Sequence, residues 1–285
     1  MEQTGSPRAS GTGIATPGPA LAFSMPAISP LTERPPYRYR DCKAVNILFT
    51  TDPTVLEELV PAPLKPDPDQ PSVVYIGHFV LADYDLSYNE AGLLVPVLRD
   101  GRPAGSFAVV LYLDRANPIV GGREVYGWPK KDADEILIEE ENGRIRAEVT
   151  RYGRRIISVT LAVRQTVDPI PERPKNPICF LKVIPSIQAD APPDVLKLNA
   201  TVIDPDVIKE LRVGEGTLEF GDSPYDPFLA RIPIRQVLYS DVIIHDFTLG
   251  YGQVLVDYLA DRSGCRTRPP AARIGSASGP LRRPG

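Results

Sequence analysis

No run in this sequence approaches the roughly 18 apolar residues that a transmembrane helix requires, so no membrane-spanning segment is expected. The three cysteines, Cys42, Cys179 and Cys265, have no CxxC spacing and an odd count, which argues against a disulfide framework and against a zinc site. The two histidines, His78 and His245, stand far apart and lack metal-ligand spacing. There is no glycine-rich phosphate loop, no alternation of strands with helices and no internal repeat, which excludes a doubly wound nucleotide-binding fold. The N-terminus lacks a basic stretch followed by a clean apolar run: Ala20-Leu21-Ala22-Phe23 is soon interrupted by Pro26. A secretory signal is therefore not expected, and a reducing cytoplasm is the expected location. The net charge of -4 is too small to argue for nucleic acid or a strongly acidic partner.

What is present is a chain of 285 residues with 42% hydrophobic and 24% charged side chains, ordinary for a globular protein with a well-filled core. Proline is abundant, at 32 residues, and clusters in the termini and in breaks such as Val60-Pro61-Ala62-Pro63. Residues 1–33 are rich in Gly, Pro, Ser, Thr and Ala and are expected to form a flexible arm, within which Ser24 to Tyr37 can still pack. Residues 34–262 read as one domain. Residues 263–285 read as a disordered basic tail: from Arg262 onward there are six arginines and no acidic residue.

The domain is patterned mainly as strands. Ile145, Ala147 and Val149 alternate with charged neighbours, and Ile157, Val159, Leu161 and Val163 alternate with small or polar ones. Asn142-Gly143 and Tyr152-Gly153 mark the turns that bound them. Further strands are expected at Val45–Phe49, Ser72–Ala82, Phe107–Leu113, Val183–Ile184, Lys197–Val202, Val207–Val213, Thr217–Phe220 and Gln236–Ile244. Asp52-Pro53 opens a short helix, with aspartate as N-cap and proline in the first turn. Val254–Leu259 is expected to be a closing helix. Many short strands between turn signals predict a mainly β fold, an antiparallel β-barrel with a few short helices.

One segment carries reactive side chains: Gly121-Gly122-Arg123-Glu124-Val125-Tyr126-Gly127-Trp128-Pro129-Lys130-Lys131. On a strand, Lys130 and Lys131 point to opposite faces, so one can enter an apolar interior while the other faces out. Desolvation disfavours an ammonium and favours the nucleophilic amine. Taken alone, a Lys-Lys pair is more often a solvated turn.

This segment resembles the active-site segment of the acetoacetate decarboxylase family, which reads G-R-E, a short spacer, then P-K-K. Four further blocks resemble the same family in the same order: Asn46 to Asp52 with Val60-Pro61-Ala62-Pro63-Leu64, Tyr88-Asn89-Glu90-Ala91-Gly92 with Val95-Pro96-Val97, Leu111-Tyr112-Leu113-Asp114, and Leu181-Lys182-Val183-Ile184-Pro185. The resemblance covers roughly residues 37 to 260 and implies the acetoacetate decarboxylase-like β-barrel. That family supplies the known example of a lysine activated for Schiff-base chemistry. By position, Lys130 matches the Schiff-base lysine and Glu90 the active-site glutamate, which would position substrate or carry a proton. Lys131, Arg123 and Glu124 are supporting residues, the last two as a loop-fixing ion pair. Trp128 is expected to wall the pocket.

Two departures stand out. The family's first-strand arginine, which faces the substrate carboxylate, falls on Cys42 in an ungapped alignment. Arg40, two residues earlier, is the candidate to replace it from the same strand face. The second acidic residue of the family falls on Tyr75. The resemblance implies decarboxylation of acetoacetate or a larger β-keto acid with no metal or organic cofactor, a small-molecule keto acid as the partner, and a homo-oligomer. Aldol or dehydration chemistry on the same lysine and a non-catalytic ligand-binding barrel are the alternatives.

Overall fold

A computed structural model describes residues 23–172 and 176–260. Most of the expected flexible arm and all of the basic tail lie outside the described residues. The part of the arm that is described is packed: Ser24 and Thr32 are buried, and Ser24 Oγ donates a 2.6 Å hydrogen bond to Glu124. Among the described residues no helix is long and apolar enough to cross a membrane.

The strands, in chain order, are β1 (Tyr37–Thr50), β2 (Leu64–Pro66), β3 (Ser72–Leu81), β4 (Leu86–Arg99), β5 (Arg102–Leu113), β6 (Lys130–Asp132) and β7 (Glu135–Glu141), followed by β8 (Arg144–Arg151), β9 (Arg154–Thr166), β10 (Pro177–Ile184), β11 (Val195–Val202), β12 (Asp204–Phe220), β13 (Gln236–Leu249) and β14 (Gln253–Asp257). Two short helices, α1 (Pro53–Glu57) and α2 (Ala116–Gly121), interrupt them. All strands join one 14-stranded sheet in the order β14-β11-β10-β5-β4-β3-β1-β13-β12-β9-β8-β7, with β2 on β4 and β6 on β5.

The turns that organise β7 to β9 follow the predicted chemistry. Asn142 and Gly143 both take positive φ, 51° and 73°, and Tyr152 and Gly153 do the same at 49° and 68°. Such paired left-handed residues match the twist of the strands they join. Helix α1 starts where expected, but Asp52 does not cap it with its side chain; the carboxylate instead holds the Arg235 guanidinium at 2.7 and 2.8 Å.

Alternation gives the sheet two buried faces. On one face Val45, Ile47, Val74, Ile76, Ala91 and Leu93 pack against Ile145, Ala147, Val149 and Ile157, as β7 to β9 fold back over β1, β3 and β4. On the other, Tyr39, Phe79, Tyr88, Leu111, Trp128 and Phe247 form a second, aromatic cluster. Burying each large apolar side chain contributes about 1.5–3 kcal/mol, so both faces resist opening.

One expectation is met in part and two need correction. The fold is mainly β, as expected of a β-barrel, but among the described residues the sheet does not close on itself: no ladder joins β14 to β7. The β7 edge is tied back to β4 instead: Ile136 of β7 enters the first core, and Asn89 Nδ2 of β4 donates to the Ile136 carbonyl at 3.0 Å. The predicted closing helix is strand β14, paired antiparallel to β11. A short apolar run fits either period, and the open edge of β11 decides between them. The two strands expected at Val207–Val213 and Thr217–Phe220 are one strand, β12, running through Gly214 with a register shift beside it.

Candidate active site

Lys130 enters the interior because β6 pairs in parallel with β5, Leu111 opposite Lys130 and Tyr112 opposite Lys131. The two lysines diverge as the strand period requires. Lys130 is 8% exposed and its Nζ lies 3.0 Å from Glu90 Oε2. Lys131 turns the other way, its Nζ 2.5 Å from Asp226 Oδ1. Arg151 reaches the same aspartate at 2.9 Å and also donates to the Asp132 carbonyl at 2.8 Å. Asp226 thus pins β6 from outside the pocket.

Glu90 is 7% exposed and shares a face of β4 with Tyr88. Its Oε1 accepts a 2.6 Å hydrogen bond from the Tyr75 hydroxyl. Its Oε2 has Lys130 as a charge neighbour but no aligned hydrogen bond. The Lys130 ammonium also lies 5.6 Å above the Tyr88 ring, whose hydroxyl is 3.1 Å from that of Tyr39. Burial is the main cause that drives the phenols of Tyr75, Tyr88 and Tyr39 well above their ordinary range, so they act as neutral hydrogen-bonding groups; for Tyr75 and Tyr88 the nearby Glu90 carboxylate adds to the effect.

These side chains line a cavity of about 310 Å³. Lys130, Glu90, Tyr75 and Trp128 of the expected site all reach it. Trp128 forms part of the wall and stacks on Phe180 with ring centres 4.4 Å apart. Arg40 does not line it. Asp41 takes a left-handed conformation, φ 52°, and the register of β1 slips between Tyr39 and Cys42. That bulge puts Tyr39 and Cys42, not Arg40, in the aromatic cluster. Arg40 faces Asp246 instead, 3.8 Å away.

Arg123 and Glu124 do not pair with each other. They sit in a π-helical turn, Gly122–Tyr126, and hold the loop separately. Arg123 donates to the Lys130 carbonyl at 3.0 Å, and Glu124 accepts from Ser24. The turn is also held from β10 and β11: Lys182 Nζ donates to the carbonyls of Glu124 and Val125, at 2.5 and 3.1 Å, and Asn199 donates to that of Tyr126 at 2.8 Å. Neither Lys182 nor Asn199 is identifiable from local pattern, because each acts across more than fifty residues of chain.

Gly122 has a specific role. A Cβ there would sit 2.6 and 2.7 Å from Cδ and Cε of Lys130. Its backbone is helical, φ -62° and ψ -43°, so alanine is permitted by the main chain, and the three atoms nearest its Cβ would all belong to the lysine. Gly122→Ala is expected to keep its melting temperature while kcat falls about tenfold to a hundredfold, because a displacement of about 1 Å costs that much. A kcat equal to the wild type would show that the glycine does not set the lysine's position.

Asp226→Ala should act on stability. It removes the fully buried carboxylate that Arg151 and Lys131 share and leaves Arg151 only the more exposed Asp132, 3.3 Å away, a loss of about 3 kcal/mol, which corresponds to a melting temperature lower by about ten degrees in a domain of this size. A shift within about two degrees would show that the network is dispensable.

Comparison with known proteins agrees with this geometry. The family model described as acetoacetate decarboxylase (ADC) matches residues 24–259. The acetoacetate decarboxylase of Burkholderia multivorans is 33% identical over 250 residues, covering 84% of this chain and 96% of that one. Among solved structures, acetoacetate decarboxylase from Legionella pneumophila superposes with a TM-score of 0.72 at 30% identity, over 84% of this chain and 95% of that one. The enduracididine biosynthesis enzyme MppR, complexed with pyruvate, gives a TM-score of 0.71 at 22% identity over 83% of this chain and 98% of its own, a likeness of fold alone. With a family match over most of its length and relatives above 30% identity, this chain belongs to the acetoacetate decarboxylase family.

Proposed function

We propose that the protein is a carboxy-lyase that decarboxylates a β-keto acid through a Schiff base on Lys130. The observation that carries this reading is a buried amine at the wall of an apolar cavity, 3.0 Å from one buried carboxylate. The Lys130 amine, once it has passed its proton to Glu90, attacks the ketone carbon, and loss of water leaves an iminium. The bond from the α-carbon to the carboxyl carbon then breaks. Its electron pair moves toward the iminium nitrogen, CO2 departs, and an enamine remains. The proton Glu90 took from Lys130 has left with the water, so Glu90, with Tyr75 fixing its other oxygen, takes up a proton from solvent and delivers it to the enamine carbon. Water adds to the iminium carbon and releases the ketone and the free lysine.

The chemistry uses the protein's own groups and takes a small keto acid as its partner. The same reading has the wound sheet working as a barrel-like container, in a homo-oligomer. Exposed apolar side chains such as Ile184, Ile187 and Val254 offer contact surface for that assembly. It places the enzyme in a reducing cytoplasm, supported by two buried free thiols, Cys42 and Cys179. The test is direct: the purified protein should release CO2 from acetoacetate or an acylacetate, and should not condense pyruvate with an aldehyde. Condensation without CO2 release would overturn the assignment in favour of aldol chemistry.

A further inference from the structure

We propose that the acid this pocket takes carries a bulky apolar tail, alkyl or aryl, and that acetoacetate underfills the site. The inference rests on the decarboxylase reading and names its substrate class.

Size is the first argument. The cavity of about 310 Å³ falls at the lower end of the range, about 300–1,000 Å³, that holds drug-sized ligands. Acetoacetate, which ends in a methyl group, leaves much of that space to water.

The wall is the second. Beyond Lys130 it is made by Phe79, Phe247, Ile178, Ile203 and Leu249. Phe79 stacks on Tyr88 at 5.7 Å, Phe247 stacks on Tyr39 at 4.4 Å, and Phe79 meets Phe247 edge-on at 6.3 Å, so the rings form one continuous apolar surface. Water held against such a surface is readily displaced by hydrocarbon.

Charge is the third. Among the described residues, Lys130 is the sole lysine or arginine on the wall and Glu90 the sole carboxylate. Arg40 is turned away by the bulge at Asp41. His245, the other basic side chain on the wall, lies flat against Phe247 at 5.0 Å. A substrate carboxylate therefore meets no guanidinium fork. Its departure as CO2 is favoured by an apolar surrounding, but the carboxylate supplies little binding. Affinity has to come from the tail.

Trp128 is the single tryptophan of the chain and forms part of the wall, so its fluorescence reports occupancy. The experiment titrates the full-length protein, and Lys130→Met, with acetone, methyl propyl ketone, methyl pentyl ketone and acetophenone. These are the products of the corresponding acids and carry the tail without the carboxylate. Kd is expected to fall about fourfold per added methylene until the cavity fills, in both proteins. Ala44→Phe, which puts a ring into the cavity from β1, should flatten the series. A Kd independent of tail length overturns the proposal, as does a series unchanged by Ala44→Phe, which would place the binding elsewhere. Failure of the Schiff-base reading looks different: length dependence persists, but borohydride traps no ketone on Lys130 of the wild type.

Discussion

Lys130→Ala is expected to lower kcat by roughly a thousandfold or more, equivalent to about 4 kcal/mol of transition-state stabilisation. The size follows from the role. In the proposed mechanism the amine is the atom that bonds to substrate and the nitrogen that receives the electron pair as CO2 leaves, and no other lysine lines the cavity to substitute for it. Lys131 is no spare: its Nζ is held by Asp226 on the opposite side of β6. The fold should tolerate the change, since the lysine stem runs beside Gly122 to the face of the Tyr88 ring and belongs to none of the hydrophobic clusters. A near-normal kcat in this variant, with an unchanged melting curve, would remove the lysine from the mechanism.

Glu90→Gln is the second large effect. Glutamine keeps the shape and can still accept the Tyr75 hydrogen bond, but it can neither take a proton from Lys130 nor relay one from solvent to the enamine. The expected loss in kcat is about a hundredfold to ten-thousandfold, the usual worth of a positioned acid or base. The adduct itself should still form on long incubation, more slowly, because the amine remains and can lose its proton to water. Turnover and trapping are therefore predicted to separate in this variant, and measuring both on one preparation checks it. If they fall together, Glu90 serves only to hold the lysine in place. If neither falls, the carboxylate is a bystander.

Much of this site is legible from the chain, and the rest fails for identifiable reasons. The divergence of Lys130 and Lys131 follows from strand period alone. Tyr88 and Glu90 share a face by the same rule, once β4 is seen as a strand. Asp100-Gly101 closes β4 onto β5 with φ of 52° and 73°, the same turn chemistry as Asn142-Gly143, so the signal for that hairpin is present in the sequence. Arg40 misleads because one left-handed residue, Asp41, reverses the side-chain alternation, and nothing local distinguishes such a bulge from a continuing strand. The Arg123–Glu124 pairing is replaced by longer-range contacts, to Lys130 and Ser24. Gly122 and Lys182 act only through residues that the fold brings to them, one giving room to the lysine stem and the other holding the carbonyls of the π-helical turn. β14 takes its form from the strand edge it covers, which no window of its own residues contains.

The most direct measurement incubates the wild-type protein with a β-keto acid such as butyrylacetate, adds borohydride, and maps the modified peptide by mass. The account predicts one stable adduct, on Lys130, with Lys131 and Lys182 unmodified and activity lost in proportion. No adduct with any keto acid tried, or an adduct on a different lysine, would contradict it.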